Sequence, residues 1–509
     1  MDSAKLRVEG KKMIEIVANY WDGIRTRKPI PDVKPGYIEK SVPSNPPTTP
    51  ESWEKVFGDL EKVIFNGSSH WNHPHFFAYF SAGIGYHSIL ADIISSGLGS
   101  VGFTWIACPP ITELEKITLD WLVDLTSLPV EFKNSHPGHG CGIIQSSASD
   151  STLIAIMTAR AAKVEFIKQN PSTFQWLINS TSEHLRSISY WTPVNRTIHD
   201  STDIITPYYH DPRVFKNFVM YFTDQAHSSV EKGAMLAGVR FRKLRSVRGY
   251  MENYEMDSKI LIDAIEQDRS RGFIPFMVAL TVGTTATCAA DDVEKIGQIC
   301  QKEGLYLHGA FAFCDEFKYL VNGLKYVDSY NTDLHKAGMI NFDCCPLWFK
   351  NGTYASRYYN VDPVYLAHEY QSSNMDYRHL EVPLGRRFRS LKVWFTMRNM
   401  GVEKIREYQR KTVSLALLFT KIIVEGDKFE LFTPPHLGMA TFRLKNHTNS
   451  DNERLLQAIN RDRRIHLGIS MVHGVYVLRF CVGSPLTNEE DVHFTKSVIF
   501  EIAHFLFEA

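Results

Sequence analysis

The sequence predicts an α/β protein, with a large layer built on a mainly parallel sheet and a smaller α+β domain after it. Three observations carry this. From about residue 86 to 391, helical stretches alternate with short apolar runs such as Phe218-Val-Met-Tyr-Phe222, Phe276-Met-Val-Ala-Leu-Thr281 and Leu305-Tyr-Leu-His308. Buried strands alternating with helices imply a mainly parallel sheet. Beyond that stretch the pattern changes: Gly438-Met-Ala-Thr-Phe-Arg443 and Val475-Tyr-Val-Leu-Arg-Phe-Cys-Val482 read as strands, flanked by helices around 451–461 and 488–508. Finally, 509 residues at 44% hydrophobic content can bury a core large enough for more than one globular unit. The expected division is an N-terminal arm over 1–85, a large domain over 86–391 and a small domain over 392–509.

The arm begins with Met13, Ile14, Val17, Tyr20, Trp21 and Ile24 at helical spacing, one apolar stripe on an otherwise polar helix. Pro29, Pro31, Pro35, Pro43, Pro46, Pro47 and Pro50 then forbid regular structure. A short helix with an extended arm makes no core of its own, so it should pack on the main body or on a second subunit. Between about 166 and 216 the chain is rich in Ser, Thr, Asn and Pro, which suggests a surface excursion with a little helix.

Composition excludes several function classes. Lysine plus arginine, 56, equals aspartate plus glutamate, 56. No global field therefore attracts nucleic acid or an anionic membrane. Eight cysteines without a CxxC pair or a Cys/His cluster of zinc spacing suit reduced thiols and no metal site. The start lacks a signal-peptide pattern, and no apolar run is long enough to span a bilayer. The expectation is a soluble cytoplasmic protein without a membrane partner.

Three segments carry candidate chemistry. Gly142-Ile-Ile-Gln-Ser-Ser-Ala-Ser-Asp150 puts small hydroxyl residues just before the apolar helical run Leu153-Ile-Ala-Ile-Met. Backbone N–H groups at such a helix start can hold a phosphate, although the segment alone reads first as an ordinary Ser-rich cap. Lys336, in Asp333-Leu-His-Lys336, could bond to an aldehyde cofactor if it leaves solvent; by itself it reads as a surface lysine. His227 directly follows the strand-like run 218–222, at the carboxyl end where α/β sheets bind ligands, and a structural histidine is the equal alternative.

Together with further motifs these segments resemble the group II pyridoxal-phosphate decarboxylases, which include the aromatic-L-amino-acid, histidine and tyrosine decarboxylases. The resemblance covers nearly the whole chain. It is carried by His73-Pro-His-Phe-Phe-Ala-Tyr-Phe80, Gly102-Phe-Thr-Trp105, Thr112-Glu-Leu-Glu115, Ser147-Ala-Ser149, Asp224-Gln-Ala-His-Ser-Ser229, Gly283-Thr-Thr285, His335-Lys336 with Asn341-Phe-Asp-Cys344, and Pro383-Leu-Gly-Arg-Arg-Phe-Arg389.

The resemblance implies a fold type I architecture with a seven-stranded sheet in the large domain, and a homodimer embraced by the N-terminal arms. It implies Lys336 as the cofactor lysine, Ser147, Ala148, Ser149, Asp333 and His335 beside the cofactor, His227 stacked on its ring, and Thr285 as another contact. Trp71, Tyr79, Phe80, Ala82 and Phe103 match the substrate site, where aromatic faces favour a flat ring. Tyr365 matches the loop tyrosine that returns a proton after carbon dioxide leaves. Tyr365 and His227 together argue for decarboxylation over oxidative aldehyde formation, and Gly385 resembles the aromatic branch more than the histidine decarboxylases.

The chain also departs from the family. After Leu307-His308 the family continues Val-Asp-Ala-Ala-Tyr-Ala-Gly, and that aspartate pairs with the cofactor's ring nitrogen. Here Gly309-Ala-Phe-Ala-Phe-Cys-Asp315 follows, several residues shorter and with no aspartate in place, Asp315 being the one nearby substitute. Losing such a charge-assisted bond costs roughly 1.5–3 kcal/mol, at least about tenfold in rate if felt in the transition state. The family's Asn-Pro-His-Lys-Trp appears as Asp333-Leu-His-Lys-Ala337, its Pro-Thr as Ser81-Ala82 and its Gln-Gly-Ser as Gln145-Ser146-Ser147. The leading expectation is decarboxylation of aromatic L-amino acids of the dopa or 5-hydroxytryptophan type. The alternatives are an impaired paralogue acting by dimerisation, and a tyrosine or histidine decarboxylase.

Overall fold

Four segments are apolar enough to be buried along their whole length: Cys141–Gln145, Phe218–Thr223, Ile274–Ala279 and Cys345–Phe349. In the computed structural model, which describes all residues except 1, 82, 171–207, 211, 250, 311–314, 372–373 and 509, they are strands of one seven-stranded sheet. Its order is Cys141–Gln145, Cys345–Phe349, Ser329–Asn331, Tyr306–Ala310, Ile274–Ala279, Phe218–Thr223 and Arg240–Leu244. Only Cys345–Phe349 is reversed, pairing antiparallel with both neighbours, while the other pairs are parallel. The expected mainly parallel, seven-stranded, fold type I sheet is therefore present. Arg240–Leu244 forms one edge, and Arg240, Arg242 and Lys243 charge it against further pairing.

The chain divides into two compact units, residues 84–410 and residues 1–83 with 411–509. The expected division at 85/86 and 391/392 set the N-terminal segment apart as an arm. Residues 1–83 share their compact unit with residues 411–509, and their chain adds a strand there: Phe76–Phe77 pairs parallel with His466–Val472. The rest of that five-stranded sheet is antiparallel, in the order His466–Val472, Val475–Cys481, Met439–Leu444, Phe429–His436. The helices Asn449–Asp462 and Glu489–Phe507 lie close to the positions expected from sequence. Phe77 stacks on Phe480 at 4.3 Å and Phe480 on Phe419 at 3.9 Å, within a core that also includes Phe442, Leu467 and Ile499.

The opening helix spans Ser3–Asp22 and has no fully buried residue, with Met13 and Ile14 exposed. The surface excursion expected over 166–216 falls mostly outside the described residues; up to Gln169 it is still the helix Ala148–Gln169. Among the described residues no helix is long and apolar enough to cross a membrane.

In the large unit, helix Ala148–Gln169 packs Ala155, Ile156 and Ala159 with Phe218, Met220, Phe222 and Phe276 of the central strands. Alanines on that face let the helix sit close to the sheet, which sets where its N-terminus ends up.

In the smaller unit Asp491 ties the two ends of the chain together. Its buried carboxylate accepts from Arg25 Nη1 at 2.8 Å and Nη2 at 3.1 Å, pairs with His75 Nε2 at 2.9 Å and accepts from Asn488 N at 2.9 Å as part of a capping box. Burial alone would push its carboxyl up, but the bonds from His75 and Arg25 win and hold it far below the ordinary carboxylate range. Stability from Asp491 should thus be complete above the unfolded carboxyl value of about 3.9 and be lost as pH falls further. We expect Asp491→Ala to destabilise this unit by about 3 kcal/mol, read as a lower urea midpoint, with most of the wild-type advantage gone in strong acid.

Candidate active site

Lys336 owes its position to a short return in the chain. Strand Ser329–Asn331 ends at Thr332, the helical turn Leu334–Ala337 follows, and the chain re-enters the sheet at Cys345. Thr332 N donates to Pro346 O and Leu334 N to Cys344 O, both at 3.1 Å, which closes the return. Buried Leu334 anchors the turn, and His335, also buried, accepts from Cys344 N through Nδ1 at 3.1 Å. Desolvation holds His335 below its ordinary pKa. Lys336 points less deeply: its side chain is 42% exposed and its ammonium contacts the Asp333 carboxylate, which is only 10% exposed. Burial alone would raise the Asp333 carboxyl, but the charges of Lys336 and His335 outweigh it and keep it below the usual range.

The floor under this return is ionic. Arg389 donates to Asp343 Oδ2 through Nε at 3.0 Å and Nη2 at 2.8 Å. Lys392, nearly fully buried, donates to the carbonyls of Asn341 at 3.1 Å and Asp343 at 2.9 Å. Arg386 is inaccessible and donates to Glu115 at 2.7 Å; the same carboxylate accepts from Ile144 N at 2.7 Å. Glu381 lies 2.5 Å from Arg386 Nε, and its carboxyl is pushed up to about 8 by burial against the pull of that guanidinium. Sequence reasoning quoted the segments holding Glu115, Arg386, Arg389 and Asp343 but gave none of these residues a role. The three arginines of Arg386-Arg-Phe-Arg389 would have been the signal, since a buried cation requires an anion beside it.

Strand Cys141–Gln145, held by Glu115, delivers Ser147 to the N-terminus of helix Ala148–Gln169. Ser147 caps that helix, its Oγ accepting from Asp150 N at 3.1 Å, while Ser149 is exposed in the first turn. Both ordinary capping and phosphate binding are chemically available to this helix start. The first turn meets the lysine return through Ser151 Oγ, 3.3 Å from Cys345 Sγ, and Cys345 in turn bonds Asp333.

His227 follows strand Phe218–Thr223 and caps helix Ser228–Leu236, its Nδ1 accepting from Ser229 N at 3.2 Å. It is exposed, yet desolvation by the surrounding protein and then the charge of Lys336 lower its pKa, with Asp333 opposing. His227 and Lys336 are thus electrostatic neighbours. Thr285 is exposed in a turn closed by Cys288 N to Thr284 O at 2.8 Å and opened at Gly283, whose φ of +94° suits glycine.

The strand between these groups carries the departure. His308 is buried, donates or accepts at Ser329 Oγ over 2.8 Å, and is lowered to about 4 by burial. Two positions on, opposite Asn331 in the register, stands Ala310. Residues 311–314 lie outside the described ones, and Asp315 opens the short helix Asp315–Val321.

The remaining expected residues are not joined to this cluster by any hydrogen bond or ring contact among the described residues. Tyr365 is 79% exposed on the turn Val364–Leu366. In the smaller unit Trp71 stacks on Tyr79 at 5.2 Å and Phe76 at 5.5 Å, and Arg479 lies over Phe80 at 5.5 Å. Phe103, in the large unit, is half-buried, and Ala82 lies outside the described residues.

Over residues 35–187 and 204–445 the chain matches the pyridoxal-dependent decarboxylase conserved domain. The chain belongs to the pyridoxal-dependent decarboxylase family. It is 38% identical to aromatic-L-amino-acid decarboxylase of Rattus norvegicus over 99% of this chain and 98% of the relative, and 37% identical to that of Drosophila melanogaster over 97% and 90%. Among solved structures, Oryza sativa TDC with PLP and tryptamine superposes with a TM-score of 0.88 at 27% identity, covering 99% of both chains. Catharanthus roseus tryptophan decarboxylase in complex with L-tryptophan gives 0.84 at 28%, again over 99% of both. As a family member the chain takes pyridoxal phosphate as cofactor. Its residues fit that group at two ends, the amine of Lys336 for the aldehyde and the helix start at Ser147–Ser149 for the phosphate.

The ionic floor yields a test. Arg386→Ala leaves Glu115 and Glu381 buried together without their cation and should cost about 3–5 kcal/mol, seen as a fall in the urea midpoint. Arg386→Lys, which returns one charge without the fork, should recover part of it.

Proposed function

We propose that this decarboxylase acts on aromatic L-amino acids, with dopa or 5-hydroxytryptophan as the substrate type, releasing the amine and carbon dioxide. The observation that carries the reading is the grouping of Lys336 with His227 beside the helix start at Ser147–Ser149, in a chain whose relatives are aromatic-L-amino-acid decarboxylases. Bound pyridoxal phosphate supplies the electron sink for breaking the bond to the carboxylate. Lys336 holds the cofactor and gives it up to the substrate amine. His227, kept largely neutral, supports the ring face without competing for the phosphate, and Tyr365 carries the proton returned to Cα. Trp71 and Tyr79, stacked on one another, offer flat faces to an aromatic side chain.

A homodimer belongs to the same proposal. On helix Tyr86–Leu98, the residues Tyr86, Leu90, Ile93, Ile94 and Leu98 recur at helical spacing and are all exposed, an apolar face suited to a second copy. Leu90→Glu combined with Ile94→Glu should shift the protein from dimer to monomer in sedimentation velocity, whereas a wild-type protein that already sediments as a monomer defeats the dimer.

Alanine at 310 and the pairing of Asp333 with Lys336 favour a second reading, a member that binds cofactor and turns over poorly. One assay separates the two: carbon dioxide release from dopa, 5-hydroxytryptophan, tyrosine and histidine, with a Lys336→Ala control and absorbance of the bound cofactor. Release from the first two that vanishes in Lys336→Ala supports the leading reading. Preference for tyrosine or histidine reassigns the substrate, and a Lys336-dependent absorbance band without release establishes the impaired member.

A further inference from the structure

Tyr365 sits midway between two anchored residues, Asp362 and His368. On the near side Asp362 Oδ1 accepts from Arg378 Nη2 at 2.8 Å and from Gln371 Nε2 at 3.0 Å, which ties residues 362 and 371 across the base of the loop. On the far side His368 Nε2 lies 3.1 Å from Asp376 Oδ2 and 3.2 Å from Oδ1, with its side chain only 5% exposed. A carboxylate only accepts, so Nε2 carries the proton of this bond. Between the two anchors Leu366 is buried, whereas Val364 and Tyr365 are exposed.

Asp376 has a fixed place that owes nothing to the loop. Its side chain is sealed from solvent, its Oδ1 accepts from Trp105 N at 2.9 Å, and Arg378 Nε lies 3.6 Å from its Oδ2. Trp105 is itself held, its indole Nε1 donating at 2.7 Å to Glu113 of helix Pro109–Thr126. A sealed carboxylate keeps its donors, because losing one leaves charge uncompensated where water cannot reach. His368 is the donor that the loop side supplies.

We propose that His368 and Asp376 are positioning residues for Tyr365: their bond fastens the far side of the loop to the body of the large unit and confines its swing to the few residues around the tyrosine. The inference rests on Tyr365 as the residue that returns the proton to Cα. A proton donor must come within hydrogen-bond reach of the atom it protonates, and a misplacement of about 1 Å can cost about a hundredfold in rate. Neither His368 nor Asp376 needs to touch the substrate; they act through the chain that carries Tyr365.

The test reads the loop and the reaction separately. Hydrogen exchange over residues 362–371 is followed by peptide mass spectrometry in the full-length protein, where Leu366 N, Ala367 N and Gln371 N donate within the loop at 3.0, 3.1 and 3.2 Å. His368→Ala should speed exchange there by about tenfold and leave peptides of the central sheet at wild-type rates. His368→Gln sets an amide donor near the place of Nε2 and should restore most of the protection, while Asp376→Asn, with one acceptor oxygen in place of two, should lose part of it. With pyridoxal phosphate and dopa, His368→Ala should lower kcat by about tenfold at nearly unchanged KM, and His368→Gln should recover much of it. Wild-type exchange over 362–371 in His368→Ala overturns the anchor. Faster exchange at wild-type kcat, in a protein whose Tyr365→Phe variant does lose kcat, overturns the positioning role. If Tyr365→Phe keeps the wild-type kcat, or the wild type does not turn over, the proton role of Tyr365 fails and the positioning role falls with it, an outcome that the exchange rates distinguish from a failed anchor.

Discussion

The guanidinium of Arg386, sealed between Glu115 and Glu381, is the interaction on which the rest of the cofactor site depends. One carboxylate oxygen of Glu115 serves both this cation and the backbone of Ile144, so the strand that ends at Ser147 cannot slide without unpairing a buried charge. Arg389 and Lys392 repeat the arrangement under Asn341–Asp343, on the far side of the lysine return. Two pieces of chain distant in sequence are thereby set in register by charges out of reach of water. A hydrophobic contact could bury the same surface, but it would tolerate slippage that a buried, hydrogen-bonded ion pair does not.

The architecture was largely legible because its signals are local. Runs such as Phe218–Phe222 are apolar at successive positions, which only a strand covered on both faces requires, and their alternation with helices implies parallel neighbours. Lys336, His227 and Ser147 each have an ordinary reading when taken alone, and only the electrostatic proximity of His227 to Lys336 joins two of them in the fold. Glu115 and Arg386 are separated by 271 residues, so no spacing rule could pair them. The grouping of residues 1–83 with the C-terminal sheet was hidden for a similar reason. Its cause is a two-residue strand, Phe76–Phe77, and a carboxylate, Asp491, whose partners lie at the opposite end of the chain.

Aspartate at 333 brings a carboxylate to Lys336, while Arg386 with Glu115 and Arg389 with Asp343 form the buried pairs that hold the scaffold. Packing and chemistry rest on different residues here, so a chain can keep its fold while its reactivity drifts.

The reversed strand Cys345–Phe349 has a consequence for how such drift is tolerated. Because it runs against Ser329–Asn331, the chain leaves and re-enters the sheet at the same end, and the lysine lies on a hairpin-like excursion closed by contacts between residues 332–334 and 344–346. Those contacts are short in sequence, so the excursion can assemble without waiting for distant parts of the chain. The connection after His308 belongs to the adjoining parallel crossover, a separate closure. A change of length there leaves the lysine's own loop intact, which makes the two sides of the cofactor site separable modules in which one can be rebuilt while the other is kept.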